Sequence, residues 1–293
     1  NGWSIGLLES MTSKEYADIS DAGQSSKSLA EPFTNYLVGR VQKDLNEKNT
    51  FVGGMFTATN RRITPEVSEL RKSAYSGGVD FKHQWKNRAY YMEANMVMSH
   101  VKGSKEAIKN TQENLTHLFN REDAGHLEVD PNRTSLTGTG GLFAMGKTGG
   151  QHWNYNGGFK WVSPELELND IGFLRSADEM IQYLNLRYRT GKPVGISRNI
   201  SLSFNQFTAF DFEGNYNRIQ YELKGDISFT NNWGIEFGAA HKPRIYSNSV
   251  LRGGPRWRFS EENFQYFFVG TDRRKKLQGV IGLINSRAKE DNF

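Results

Sequence analysis

The chain has no cysteine among its 293 residues. That excludes a disulfide scaffold, thiolate metal sites and cysteine nucleophiles. No apolar run approaches the roughly 18 residues that a membrane-spanning helix needs, and no charged-then-apolar signal peptide opens the chain. Charge of one sign is also scarce: 37 Lys and Arg against 32 Asp and Glu leave a net +5. The excess is spread along the chain and too slight for a nucleic-acid groove. Hydrophobic residues make up only 37%, whereas aromatics reach 13% and glycines number 30. A soluble α/β enzyme of this length carries more Leu, Ala and Val and fewer rings and glycines.

What is abundant is period two. Ile219, Tyr221, Leu223, Gly225, Ile227 and Phe229 alternate with Arg218, Gln220, Glu222, Lys224, Asp226 and Ser228. Only a β-strand turns such alternation into two clean faces. The stretches 90–99, 153–161 and 196–205 alternate in the same way. Many of these runs are roughly 10–15 residues long. Globular strands average about 5–6, and a tilted strand crossing a bilayer needs about 9–11.

Connections supply a second signal. Short turns fall near 46–49, 86–87, 149–150, 191–193, 231–232 and 272–274, and longer connections lie between them at 12–30, 61–72, 102–133, 164–179, 211–214 and 248–255. Outer-membrane barrels alternate tight periplasmic turns with longer external loops. The expected fold is therefore all-β: an antiparallel up-and-down transmembrane β-barrel of about 12 or 13 strands, forming one domain over 1–293. The odd count predicts that part of the barrel lies outside this chain, and the opening in mid-strand predicts a mature or trimmed piece. Phe293 is a terminal aromatic of the kind barrels carry, but 287–292 shows no alternation and is not read as a closing strand. Within 104–119, Ala107, Ile108, Leu115 and Leu118 stand at helical spacing and predict a short helix, with a polar loop the competing reading.

Motifs for chemistry are few. Residues 141–148 match the phosphate-loop pattern G-x-x-x-x-G-K-[ST] letter for letter. Upstream there is no buried aliphatic strand, and downstream a strand stands where a helix is required, so the expected structure is a hairpin. His83, His100, His117, His126, His152 and His241 show no metal-ligand spacing. Glu165, Glu167 and Asp170 form a carboxylate cluster, read as a solvated acidic loop rather than an acid/base pair. No catalytic residue, metal or cofactor is expected.

The ionisable residues opposite the apolar parity are predicted to face a lumen: Arg40, Glu93, Lys160, Arg187, Arg189, Arg218, Glu222, Lys224, Asp226, Glu236 and Lys242. Their mixed signs allow pairing and form no single-sign selectivity ring. Either an ion-pair network fills the interior or a polar conduit runs through it. Trp3, Phe33, Tyr36, Trp85, Tyr90, Tyr91, Trp153, Trp161, Trp233, Tyr246 and Trp257 fall near predicted strand ends, where rings settle at headgroup level.

Five stretches carry a resemblance: SIGLL (4–8), EPFTNYLVGRVQKD (31–44), GGMFTATNR (53–61), RTSLTG (133–138) and NDIGF (169–173). They resemble a family of large Gram-negative outer-membrane proteins in which a carbohydrate-binding domain, similar to family-nine modules, precedes a β-barrel of uncharacterised function. The resemblance implies outer-membrane localisation and a porin-like or surface role in handling glycans or other nutrients. It implies no catalytic residue. The partners expected are outer-membrane lipid and lipopolysaccharide, a glycan or small solute, and other outer-membrane proteins. The alternative from another class is a soluble all-β carbohydrate-binding or hydrolytic domain, in which the apolar parity would face a second sheet.

Overall fold

The computed structural model describes residues 2–21, 24–150 and 152–289. β1 (Trp3–Thr12) is followed by a hairpin, β2 (Glu15–Asp21) and β3 (Gln24–Glu31). Then come β4 (Thr34–Leu45), β5 (Thr50–Arg61), β6 (Ser73–Trp85) and β7 (Tyr90–Lys102). Helix α1 (Lys105–Glu113) precedes β8 (Ser135–Lys147), β9 (Trp153–Val162), β10 (Glu179–Arg189) and β11 (Ser197–Phe210). β12 (Tyr216–Phe229) and β13 (Gly234–Lys242) lead to a second hairpin, β14 (Ile245–Ser247) and β15 (Trp257–Phe259). β16 (Glu262–Gly270) and β17 (Val280–Ala288) complete the chain.

The fold is all-β. Thirteen strands form one antiparallel sheet in the order β1-β4-β5-β6-β7-β8-β9-β10-β11-β12-β13-β16-β17, and each short hairpin is a separate two-stranded sheet. The large sheet is open, with β1 and β17 at its edges. Its order follows the chain, so connections alternate between its two ends. At one end lie the short segments 46–49, 86–89, 148–152, 190–196, 230–233 and 271–279; the other end carries both hairpins, α1 and the long loops. We call these the turn end and the loop end. β1 and β17 both run from turn end to loop end.

Several local expectations need correction. The predicted helix stops at Glu113, where Asn114 accepts from the Thr116 and His117 amides at 2.9 and 3.1 Å and turns the chain. Leu115 is exposed, and Leu118 is buried beyond the helix with a positive φ. Ser104 caps the helix, its hydroxyl accepting from the Ala107 amide at 3.0 Å, a standard N-cap arrangement. Ile196 lies outside β11, which begins at Ser197 with a bulge before Asn199. At the other end, β17 takes in Arg287 and Ala288, whereas 290–292 fall outside the described residues.

Register settles which side chains share a face, because directly opposed residues of an antiparallel pair point the same way. From Arg40 the chain of partners runs through Met55, Gly78 and Val97 to Gly140 and Val162. It continues through Glu179 to β10 and onward by Arg189–Ser201, Ser201–Asp226 and Asp226–Glu236. We call this the charged face. On the opposite face of β4 to β13 and β16, charge stands only near strand ends, at Lys43, Lys102, Lys147 and the bulged Arg198. Its middle rows hold Phe56, Val79, Met96, Phe143, Leu202, Leu223 and Phe267, all exposed. Among the described residues no second sheet covers this apolar face.

The small core sits on the charged face, at the loop end. Ala107 and Ile108 of α1 are buried there, and Ile108 packs on Ala74, Val101 and Leu136. Beside them Leu166 packs on Val162 and Ala177, flanked by Val97, Leu168 and Leu174. A methyl at Gly138 would lie far inside contact distance of the Leu166 backbone. Gly138→Ala should therefore lift that segment and lower stability by about 1–3 kcal/mol. Gly6→Ala, with nothing within 4 Å of the added carbon, should leave the melting transition unmoved.

Candidate functional site

The eleven ionisable residues from Arg40 to Lys242 expected to face a lumen stand together on one face of the open sheet, the charged face. Neighbouring strands bring opposite signs together. Arg40 and Asp80 form a two-pronged ion pair across β5, the second prong at 2.9 Å. Gly53 lies beneath that pair, and a side-chain carbon there would come within 2.7 Å of the guanidinium. Lys82 meets Glu93 at 3.5 Å and Lys242 meets Glu262 at 2.9 Å, and within β12 Lys224 meets Glu222 at 3.0 Å. Asn205 donates to Glu222, Asn199 to Asp226 and Arg187 to the Ser201 hydroxyl. Arg218 lies over the Phe207 ring at 5.1 Å. The paired lysines remain partly exposed, so each such pair is worth about 0–1 kcal/mol. They neutralise the face more than they stabilise it.

Residues 163–178 cross this face at the loop end as a strap. Glu167 has no exposed side-chain surface. Its carboxylate accepts from Arg71 at 3.2 Å and from His117 Nε2 at 3.1 Å, and one oxygen takes the Asn169 amide at 2.7 Å. The Glu167 amide donates to Ser99 of β7 at 2.9 Å. Burial alone would push the Glu167 carboxyl up. The His117 hydrogen bond, the Arg71 charge and the Asn169 amide together hold it down to about 2. His117 Nδ1 lies 2.7 Å from the Pro164 carbonyl. Both ring nitrogens thus face oxygen atoms of the strap. Asp170 accepts from Arg61 at 2.6 Å and Arg71 at 3.0 Å. Under the strap, Leu168 and Ile171 roof a cavity of about 300 Å³ whose floor includes Arg40, Met55 and Asn95.

A second node locks the remaining loops together. Asp178 accepts from Arg121 at 2.5 Å, from His126 at 2.9 Å and from the Phe212 amide at 3.0 Å. Arg256 reaches Asp211 at 2.9 Å and Glu213 at 3.0 Å, and its amide donates to Asp123 at 2.6 Å. Segments 114–134, 211–215 and 248–256 are thereby joined to the end of the strap. Nearby, the β14–β15 hairpin roofs a larger cavity of about 1100 Å³ over the charged face, with Trp257 and Phe259 above and Arg218, Lys242 and Glu262 below.

These nodes correct two readings. The cluster Glu165, Glu167 and Asp170 is no solvated acidic loop, since Glu167 and Asp170 are buried and paired with arginines. His117 and His126, expected to be scattered polar residues, sit in the two nodes. Arg61, Arg71, Arg121, Asp178 and Arg256 gave no sequence signal, because their ion-pair partners lie 43 to 109 residues away. The phosphate-loop pattern lies along β8 and its turn into β9. Gly141 there makes room for the Trp161 ring, into which any side chain would project. No group of His, Asp or Glu among the described residues could hold a metal ion.

The aromatics divide by face. Trp3, Trp85, Tyr90 and Trp153 stand on the apolar face at the turn end and Trp161 at the loop end. Tyr36 and Tyr91 point to the charged face, and Tyr246 and Trp257 belong to the roofing hairpin. The turn-end rings associate: Trp85 stacks on Tyr90 at 5.7 Å, and Trp153 meets Tyr188 at 5.0 Å with the ring planes tilted.

Comparison with solved structures finds a chain described as a "TodX deltaS2S3 mutant monoaromatic hydrocarbon channel". It is 11% identical, with a TM-score of 0.27 over 99% of this chain and 75% of that one. No curated protein matches. A family described as "Domain of unknown function (DUF5916)" matches residues 1–292. The chain belongs to that family.

Proposed function

We propose that the chain is the greater part of an outer-membrane β-barrel wall. In this reading the apolar face meets lipid, the charged face lines the interior, and the loop end faces outside. The observation that supports it is the segregation of charge: β4 to β13 and β16, strands of 9–14 residues, keep Asp, Glu, Lys and Arg on one face except near strand ends and leave large apolar side chains exposed on the other. In water so large an uncovered apolar surface is a liability; in hydrocarbon it is the requirement. The two unpaired sheet edges are then joined by further strands, because each unsatisfied backbone group in hydrocarbon costs several kcal/mol.

The interior so formed is polar, of mixed sign and narrowed by the strap. A charge-selective pore needs a ring of one sign. Paired charges separated by Asn, Gln and Ser suit small neutral polar solutes instead, glycans among them. The role is passage or surface capture of such solutes rather than catalysis, with lipopolysaccharide against the outer half of the apolar face. The whole protein, in planar bilayers, should give stepwise current that neutral sugars reduce. The chain should stay with membranes through a carbonate wash and need detergent to remain dispersed. A chain freely soluble and monomeric in buffer would overturn the reading.

A further inference from the structure

Net charge is distributed unevenly between the two ends of the sheet. The six turn-end segments hold Lys48, Lys86, Arg88, Lys192 and the run Arg-Arg-Lys-Lys at 273–276, against Glu47 and Asp272. Eight basic residues against two acidic ones give +6, more than the whole chain's +5. The remaining 29 basic and 30 acidic residues give −1. The basic excess of this protein is thus a property of its turn end.

The placement of these cations is as informative as their number. On the apolar face at the same end, Lys43 lies over the Trp3 ring at 4.9 Å. Lys86 and Lys147 lie over Tyr90 at 5.4 and 5.7 Å. The ring system is extended by Trp85 and, further along the rim, by Trp153 and Tyr188. A ring at the edge of an apolar band settles at headgroup depth, and an ammonium held over it sits at the level of the lipid phosphate. The turns carrying the other cations project just beyond. The Lys86–Arg88 turn is tied to its neighbour. Lys86, Asn87 and Arg88 all take positive φ, as do Asn46, Glu47 and Lys48 in the adjacent turn. Arg88 Nε donates to Asn49 across the two at 3.1 Å.

From these observations we infer that the turn end is a docking surface for anionic phospholipid headgroups, fixing the depth and orientation of the sheet in the leaflet it faces. Juxtamembrane Lys and Arg each add attraction to anionic lipid that is screened by salt. The inference rests on the proposed membrane reading, since it needs the apolar face in lipid. It adds a lipid class and a named end of the fold.

The test uses the purified full chain in uncharged detergent, titrated with short-chain phosphatidylglycerol or phosphatidylcholine. Tryptophan fluorescence is the readout, because Trp3, Trp85, Trp153 and Trp233 lie at the turn end and make up four of the six tryptophans. Phosphatidylglycerol should bind at least tenfold more tightly, and 0.5 M salt should remove most of the difference. Replacing Lys48, Lys86, Lys275 and Lys276 together by serine should erase the preference, and replacing them by arginine should retain it. Circular dichroism confirms that both variants keep the sheet. Equal affinity for the two lipids, or a serine variant that keeps the preference, would overturn the inference. So would glycerol phosphate competing as well as the lipid, which would indicate a soluble phosphate ligand. None of these results removes the need for detergent, so failure here leaves the membrane reading standing.

Discussion

Val79→Arg should destabilise the protein in lipid bilayers by about 2–4 kcal/mol, the cost of arginine on the lipid face of a barrel near the midplane. Val79 is 63% exposed, in the middle of β6 on the apolar face. At such a site in a water-soluble protein a polar substitution changes stability by about 0.5 kcal/mol or less. The two readings of this face therefore differ by a factor of roughly ten or more in the unfolding equilibrium. Denaturant unfolding in liposomes, followed by tryptophan fluorescence, separates them. Ala17→Arg, on the exposed β2–β3 hairpin at the loop end, serves as the control and should be neutral. A near-zero effect at Val79 would mean that water, not lipid, covers the apolar face.

Glu167→Ala should release the strap. Removing the carboxylate leaves Arg71 and His117 with one acceptor fewer at a site without solvent, and breaking a buried pair from one side costs about 3–5 kcal/mol. The expected result is rapid protease cleavage within 163–178 while the sheet stays intact. In the membrane reading it also brings a larger unit conductance, because the strap narrows the interior. Glu167→Gln keeps hydrogen-bonding atoms but loses charge, so it should fall between the two. The wild-type protein makes the same test by pH. The Glu167 carboxyl is held at about 2 against an ordinary value of 4.5. A depressed carboxyl stabilises the folded strap fully above about pH 4.5, and that contribution, about 3 kcal/mol, is lost as pH falls toward 2. Cleavage of the strap should therefore rise across that window in the wild type and stay flat in Glu167→Ala.

The sheet was legible because a strand writes both its faces into adjacent residues. Alternation from Arg218 to Phe229 names β12 and its two surfaces without reference to any partner. The same parity assigned Arg40, Glu93 and Lys160 to one surface before any register was known. Turn chemistry such as Asn231-Asn232 and Gly191-Lys192-Pro193 marked the turn end. The strap was illegible for the opposite reason. Glu167 acquires its meaning from Arg71 and His117, which precede it by 96 and 50 residues, and nothing in the carboxylate's own neighbourhood records that. The β14–β15 hairpin within its long connection escaped notice too, since its strands are three residues each, too short for a period to declare itself.

The shared direction of β1 and β17 limits how the sheet can be completed. Rolled directly edge to edge, these strands would meet as a parallel seam. A neighbouring copy inserted with the same polarity could offer each edge nothing but another strand of matching heading. Opposed pairing all the way round needs an odd number of additional strands, the simplest being one that descends from the loop end between the two borders.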